Sequence, residues 1–517
     1  MRYSVLISLL ILGINTSFAQ TTRHDDQAPK RKKINLGRLI NGRYSELAPI
    51  IAPNGRYLFF TMGKEHPMNI GDDHLQDCYV SKLLPNGQWS VPKNLGFPIN
   101  SSGNDAISGV SPDGRTLFIK NFAYNPTSGL CFAKIDSVGH WHINPITIEH
   151  YSNSSHLSSQ CISVNGDYII VSIEREDGFG TLDLYVCKVK DRNKNLYGEP
   201  QNLGPVINTP ADEFAPFLAA DGKTLYFSSR GRGGYGEADV YITKRLDDSW
   251  VNWSAPKNMG PDINTDGMDA YYSVPASGDL AYFSSMNGAN QLDLYKISLL
   301  DDERPDPVML LQGKVMNRAG DVIHALVVAT DMMQNMEVAS SESSEGLGEF
   351  SLILPAGRLY RLSVSAPGYL PYSMQMDETN AEQFSDTSIT VLLDSIGVGS
   401  VATIEDIFFD FNMATLRPES NYSLDALAEL LLRNAKWTVR IEGYTDSVGT
   451  VESNKKLSFL RAQAVSQYLI NKGIKERRLS VEGFGPDDPV ADNSTEEGRR
   501  KNRRVQFRIM KIESEGE

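Results

Sequence analysis

One pattern limits the first half of this chain more than any other. The stretch PNGRYLFF beginning at Pro53 returns as PDGRTLFI at Pro112, VNGDYIIV at Val164, ADGKTLYF at Ala220 and ASGDLAYF at Ala276, a spacing of about 50 to 60 residues. Each copy joins a turn dipeptide, such as Asn54-Gly55 or Asp113-Gly114, to an alternating apolar strand, which is the signature of a hairpin. A third strand follows in every copy: DCYVSKL, LCFAKI, LDLYVCKV, ADVYITK and LDLYKIS. A fourth element, PKNLGFPIN, PQNLGPVIN or PKNMGPDIN, ends three of the units. The fifth unit has no such tail, but the missing copy, INLGRLIN, stands at Ile34, ahead of the first hairpin. A ring of sheets closed by its own first strand has no open edge, so residues 34 to 46 are expected to complete the sheet of residues 270 to 299. The fold class that follows for residues 34–299 is an all-β propeller of five blades.

These units resemble Tol-type and WD-type propeller repeats. They carry no GxSxG or HExxH motif, and His66, His74, His140, His142, His150 and His156 fall mainly in loops without ligand spacing. Asp183, Asp239 and Asp293 recur at one repeat position, which points to a structural task in each unit. The glycine-rich Arg230 to Gly236 is a loop tip with no helix start behind it, so it is no phosphate cradle. A propeller without catalytic residues reads as a platform for another protein. Cys78, Cys131, Cys161 and Cys187 sit in strand-like contexts with no CxxC pairing, and no metal or other cofactor is expected; whether these thiols pair is left open.

At 517 residues the chain needs several cores. A net charge of −14 argues against nucleic acid as a partner. Residues 1–19 carry Arg2, an apolar run from Val5 to Ile14 and Ser17-Phe18-Ala19, the pattern of a cleaved secretory signal, and residues 20–33 read as a flexible, solvated tail. No later stretch is apolar enough for a transmembrane segment, so the exported protein is expected in the periplasm. Residues 300–307 (LDDERPDP) form a charged linker. Residues 308–395 read as all-β, and Gly313-Lys314-Val315, Gly348-Glu349-Phe350 and Ala366-Pro367-Gly368-Tyr369 resemble the regulatory β-sandwich found beside carboxypeptidases, here a spacer or contact surface.

The last part of the chain, residues 400–511 with an acidic tail at 512–517, holds the candidate site. Trp437 to Gly443 alternates as a strand, Thr445 to Gly449 has turn chemistry, and Val451 to Asn471 reads as a helix ending near Gly473. Further strands are expected at Ile404 to Phe411, Leu479 to Gly483 and Arg504 to Met510, and a helix at Pro418 to Ala435 with Leu424, Leu427 and Leu431 as its core stripe. In the 451–471 helix Leu457, Arg461, Val465 and Leu469 share one row, so a guanidinium lies in line with core positions and needs a partner. Asn454, Ser458 and Arg461 border one helix edge near the Asp446 loop. A carboxylate and a guanidinium at one crevice suit a zwitterion, Asp446 taking its ammonium and Arg461 its carboxylate. This arrangement binds and does not catalyse.

Together, FFDFNMATLRPES, GYTDSVGT, NKKLSFLRAQAV and RLSVEGFGPDDPVADNSTEEGRRKNRRV resemble the C-terminal, peptidoglycan-binding domain of the OmpA family, found also in the peptidoglycan-associated lipoprotein. The resemblance implies an α/β OmpA-like domain that holds the meso-diaminopimelate of the peptidoglycan stem peptide through Asp446 and Arg461. By the same matching Asp410, Asn412, Thr445, Asn454, Leu457 and one arginine of Asn502-Arg503-Arg504 line the pocket. Strand alternation separates Arg503 from Arg504, and Arg504 is the one expected to face the ligand. The combination of modules also resembles wall-anchoring components of type IX secretion and gliding machinery. The expected protein is non-enzymatic, bound to peptidoglycan on the inner side of the outer membrane, and presents its propeller to an unknown envelope protein. A wall-localised enzyme, or a ligand sensor acting through the propeller, is the alternative.

Overall fold

The computed structural model describes residues 31–70, 75–404, 407–410 and 412–513. The signal sequence expected at 1–19, most of the tail expected at 20–33, and residues 514–517 lie outside them. The chain is mostly β, built of many small sheets, with an α/β domain at its C-terminal end. No helix among the described residues is long and apolar enough to cross a membrane.

Residues 34–299 form five sheets, one for each repeat. Their first strands are Glu46–Ile51, Ala106–Val110, Ser159–Ile162, Glu213–Leu218 and Asp269–Ser273. Each is joined to the next strand by a turn whose glycine (Gly55, Gly114, Gly166, Gly222 or Gly278) has φ between 65° and 74°, a conformation that only glycine adopts without strain. Each first strand packs against that of the next sheet, and the fifth packs against the first. Ile34 and Asn35 pair antiparallel with Lys296 and Tyr295 in the fifth sheet.

The recurring NLG…IN element acts through its side chains more than its two-residue strands. Asn94, Asn202, Asn258 and Asn35 donate from Nδ2 to Asp77, Asp183, Asp239 and Asp293 at 2.7, 3.2, 2.8 and 2.8 Å. Asn100, Asn208, Asn264 and Asn41 each accept from one backbone amide of the neighbouring third strand and donate to that residue's carbonyl. The repeated aspartates therefore tie strand to tail, and the copy from the start of the chain clasps the fifth sheet. The second sheet is different: its outer strand, Trp141–Pro145, lacks this motif. Its lack explains why only three internal copies are visible in sequence. The four cysteines are free and buried.

Two segments are held more firmly than the sequence suggests. Residues 31–33, expected to belong to a solvated tail, are anchored: Arg31 pairs with Glu303 (Nη2–Oε1 2.7 Å), and Lys33 donates to Ser285 at 2.7 Å, 3.7 Å from Asp269. The cause is that Glu303 and Asp269 are buried carboxylates, which are costly without a cation nearby. Residues 300–307 are docked as well, with Lys244 on Asp306 at 2.6 Å and the Tyr226 hydroxyl on the Glu303 carbonyl at 2.6 Å.

Residues 308–393 form two sheets around one core. Val308–Asn317 lies between Glu349–Pro355 and Ser385–Leu393 in one; the other runs Met336–Glu342, Leu326–Asp331, Leu359–Ser365, Tyr372–Asp377. Leu311, Val315, Val327, Leu354, Leu362, Val364 and Val391 are buried between them.

In the C-terminal domain the sheet order is Val401–Ile404, Val505–Ile512, Trp437–Tyr444, Leu479–Gly485. Helix α1 (Asn421–Arg433) and helix α2 (Val451–Asn471) enclose its core, where Leu424, Leu427 and Leu431 meet Val465 and Leu469. Helix α2 approaches the sheet so closely that a Cβ on Gly443 would stand 2.1 Å from the Ser458 carbonyl oxygen, and one on Gly483 2.4 Å from the Phe459 nitrogen. A short helix α3, Glu496–Asn502, precedes the last strand. Three expectations are corrected. Of the strand expected over Ile404 to Phe411, residues 405, 406 and 411 lie outside the described residues; the described strand is Val401–Ile404, with Ile404 opposite Val505, where its partner strand begins, and among the described residues beyond it Phe409 bridges Leu416. Pro418–Ser420 is a 3-10 turn, so the expected Pro418–Ala435 helix is α-helical only over Asn421–Arg433. The last strand starts at Val505 and not at Arg504, because α3 occupies the preceding residues.

Candidate functional site

Asp446 leaves the sheet at the end of the Trp437–Tyr444 strand. The Thr445 amide bonds the Gly485 carbonyl (2.8 Å), and the buried Thr445 hydroxyl donates to the Asp446 carbonyl at 2.9 Å. The two Asp446 carboxylate oxygens divide their work. Oδ1 accepts the Val448 amide at 3.0 Å, which shapes the turn; Oδ2 takes Arg503 Nη1 at 2.7 Å. Asn454, buried at the start of α2, donates to the Val448 carbonyl at 3.0 Å and fixes the far side of that turn. Thr450 caps α2 by accepting the Ser453 amide, so helix and loop are set together.

Arg461 projects from α2 two turns further on. Its Nε donates to the Met413 carbonyl at 3.1 Å, and its guanidinium carbon lies 4.8 Å from the centre of the Phe409 ring. Burial, with the Arg503 charge beside it, pulls its pKa below the usual guanidinium value, while the Asp446 carboxylate pushes it up. Its two terminal nitrogens make no hydrogen bond within the described residues. Leu457, half-buried, lies one turn earlier on the same helix.

Asp410 and Asn412 are exposed, on the loop that delivers Met413 to Arg461. That loop is folded on itself: the Asp410 amide bonds the Thr415 carbonyl (3.2 Å), the Met413 amide bonds the Asp410 carbonyl (3.0 Å), and Asn412 takes a left-handed φ of 55°.

The two candidate arginines, Arg503 and Arg504, have different partners. Arg503 pairs with Asp446; Arg504 lies with its guanidinium carbon 3.8 Å from the Tyr444 ring centre and donates to the Asp488 carbonyl at 3.0 Å. Strand alternation does not govern the pair, because Arg503 is the C-terminal cap of α3, with ψ of 81°.

Sequence reasoning also missed Glu496. Its Oε1 takes Arg503 Nη2 at 2.9 Å, and its Oε2 takes Arg499 at 2.7 Å, so Arg503 bridges two carboxylates. Ser447 donates its amide to Asn493 Oδ1 at 3.2 Å, which joins the Asp446 loop to the approach of α3. The signal for this element was Thr495 ahead of Glu496-Glu497, a helix start; Thr495 Oγ1 accepts the Gly498 amide at 3.0 Å.

Comparison with known proteins falls on the same part of the chain. The OmpA family model matches residues 408–503. Outer membrane protein A of Bordetella avium is 45% identical over 105 residues, which cover 20% of this chain and 54% of that protein. Outer membrane porin F of Pseudomonas aeruginosa is 37% identical over 135 residues, 25% of this chain and 39% of that protein. The chain thus spans about half or less of the length of these relatives. Among solved structures, the peptidoglycan-associated lipoprotein from Burkholderia pseudomallei is similar at 28% identity, over 20% of this chain and 86% of that one, with a TM-score of 0.19. The part of this chain that carries Asp446, Arg461 and Arg503 is an OmpA-family domain.

Proposed function

We propose that this protein is a non-enzymatic, periplasmic component of the cell envelope that binds the diaminopimelate of the peptidoglycan stem peptide through its C-terminal domain. The observation that carries the reading is the Asp446–Arg503 ion pair at the loop that leads into α2, together with Arg461 on that helix, whose terminal nitrogens are not engaged within the described residues. One carbon of diaminopimelate bears both an ammonium and a carboxylate. The carboxylate suits the fork of Arg461, and the ammonium suits Asp446, where it shares or displaces Arg503. The similarity to outer membrane proteins supports the envelope location.

The five sheets are read as blades of a closed propeller, in keeping with their ring of first strands and the pairing of Ile34–Asn35 with the fifth sheet. The propeller serves as a platform for another envelope protein, and the two-sheet module of residues 308–393, read as the carboxypeptidase-type regulatory sandwich, is its spacer. Purified sacculi incubated with the full chain test the wall reading. Wild type should co-sediment, and Asp446→Ala and Arg461→Ala should stay in the supernatant with unchanged circular dichroism. Equal sedimentation of all three would refute it.

A further inference from the structure

Ser420 stands at the N-cap of α1, where a serine hydroxyl ordinarily accepts an amide of the first helical turn, yet its side chain makes no such bond. The backbone explains why. Ser420 has φ of −76° and ψ of −17°, already helical as the end of the Pro418–Ser420 turn, whereas a capping side chain needs an extended backbone. The hydroxyl is used elsewhere. Ser420 is fully buried, and its Oγ accepts the Phe408 amide at 2.8 Å and donates to the Phe408 carbonyl at 3.1 Å. One side chain thus engages both main-chain groups of a residue twelve positions earlier.

Phe408 is the base of the loop that serves Arg461. Its carbonyl also takes the Arg417 amide at 3.0 Å, Phe409 bridges Leu416, the Asp410 amide bonds the Thr415 carbonyl at 3.2 Å, and the Met413 amide bonds the Asp410 carbonyl at 3.0 Å. The two contacts of the Arg461 guanidinium, the Met413 carbonyl at 3.1 Å and the Phe409 ring at 4.8 Å, both come from this loop. Ile407, Phe409 and Leu416 also pack on the domain core, but apolar packing has no direction. The paired bonds to Ser420 do, and they set the height of the loop against α1. An arginine held at Nε keeps its terminal nitrogens as a fork for a carboxylate, and a side chain placed beforehand loses less freedom on binding.

We propose that Ser420 is a positioning residue: through the loop that carries Phe409 and Met413, it holds Arg461 in the orientation in which its terminal nitrogens meet a ligand carboxylate. The carboxylate rests on the wall-binding reading above; the placement of Arg461 does not.

Isothermal titration of the full chain with a diaminopimelate-containing stem peptide compares wild type, Ser420→Ala, Arg461→Ala and the double variant, each with a urea melt. Ser420→Ala removes one oxygen and no cap bond of α1, so it should fold. We expect it to weaken binding about three- to tenfold, the cost of immobilising one long side chain. When Arg461 is already alanine, the further loss should be less than about twofold, because a residue that acts through Arg461 then has nothing to act on. The placement itself is read without ligand. The Arg461 Nε–H magnetic resonance signal, assigned by its absence in Arg461→Lys, should exchange with water about tenfold faster in Ser420→Ala than in wild type, the effect of losing one hydrogen bond. The inference is overturned if that exchange is unchanged, if Arg461→Ala loses binding and Ser420→Ala does not, or if Ser420→Ala weakens binding equally with and without Arg461. Wild-type binding by Arg461→Ala, with Nε–H exchange still dependent on Ser420, would sink the wall reading and support the placement of Arg461 by Ser420.

Discussion

Replacing Arg461 with alanine separates binding from stability. Among the described residues this guanidinium makes one backbone hydrogen bond, to Met413, and one contact with the Phe409 ring. Those are worth about 1 kcal/mol and about 0.5 to 1 kcal/mol. Against them stand its partial burial and the adjacent Arg503 charge, both of which disfavour the cation. The contributions nearly cancel, so Arg461→Ala should change unfolding free energy by no more than about 1 kcal/mol. In the complex the same side chain grips a carboxylate through a fork, and truncating such a charge-paired group costs about 2 to 5 kcal/mol. At 1.4 kcal/mol per tenfold, affinity for a diaminopimelate-containing stem peptide should fall at least about 30-fold. Isothermal titration of the full chain, with a urea melt of the same sample, reads both quantities. Arg461→Lys should recover only part of the loss, since an ammonium lacks the fork. Binding within threefold of wild type by a folded Arg461→Ala protein would show that the carboxylate contact lies elsewhere.

Further expectations follow from the same geometry. Asp446→Asn keeps an oxygen for the Val448 amide but loses the ion pair with Arg503, so the loop should hold, with stability within about 1 kcal/mol of wild type, while stem-peptide affinity drops about tenfold or more in the same titration. Arg31→Ala leaves the buried Glu303 carboxylate without its cation and should cost about 3 to 5 kcal/mol in urea unfolding; Arg31→Ala with Glu303→Gln should recover much of it. Burial raises the Glu46 carboxyl from 4.5 to about 8, so the folded state holds a proton that the unfolded chain gives up. Its contribution to stability is complete below about pH 4.5 and is lost as pH rises to about 8, and Glu46→Gln should flatten the decline over that window in melts taken at each pH. Gly443→Ala should push α2 off the sheet, costing about 1 to 3 kcal/mol and weakening stem-peptide binding, measured by melt and titration.

Much of this was legible in the chain itself, wherever the signal is local and repeated. The Asn-Gly and Asp-Gly turns set hairpins because glycine alone adopts their backbone cheaply, and five copies of one unit specify five like sheets. Helix α2 was readable to its last residue from an apolar row and a terminal glycine, and the structure adds the Thr450 cap. Asp446 and Arg461 were identifiable because both stand on or beside regular elements, where spacing in sequence becomes position in space.

What only the tertiary structure decided concerns groups whose partners are far away in the chain. Arg31 looks like part of a solvated basic run until Glu303, 272 positions on, is found buried against it. Arg503 and Arg504 are neighbours with opposite fates, because a helix ends at the first and a strand begins after the second, and Glu496 and Tyr444 then draw them to different faces. The cavity bounded by Ala339–Glu342, Asp113, Asn165 and Arg192 belongs to no single segment. Local sequence fixes a residue's own backbone preference and its face of a helix or strand; which charge it meets, and which edge stays open, depends on how distant elements pack.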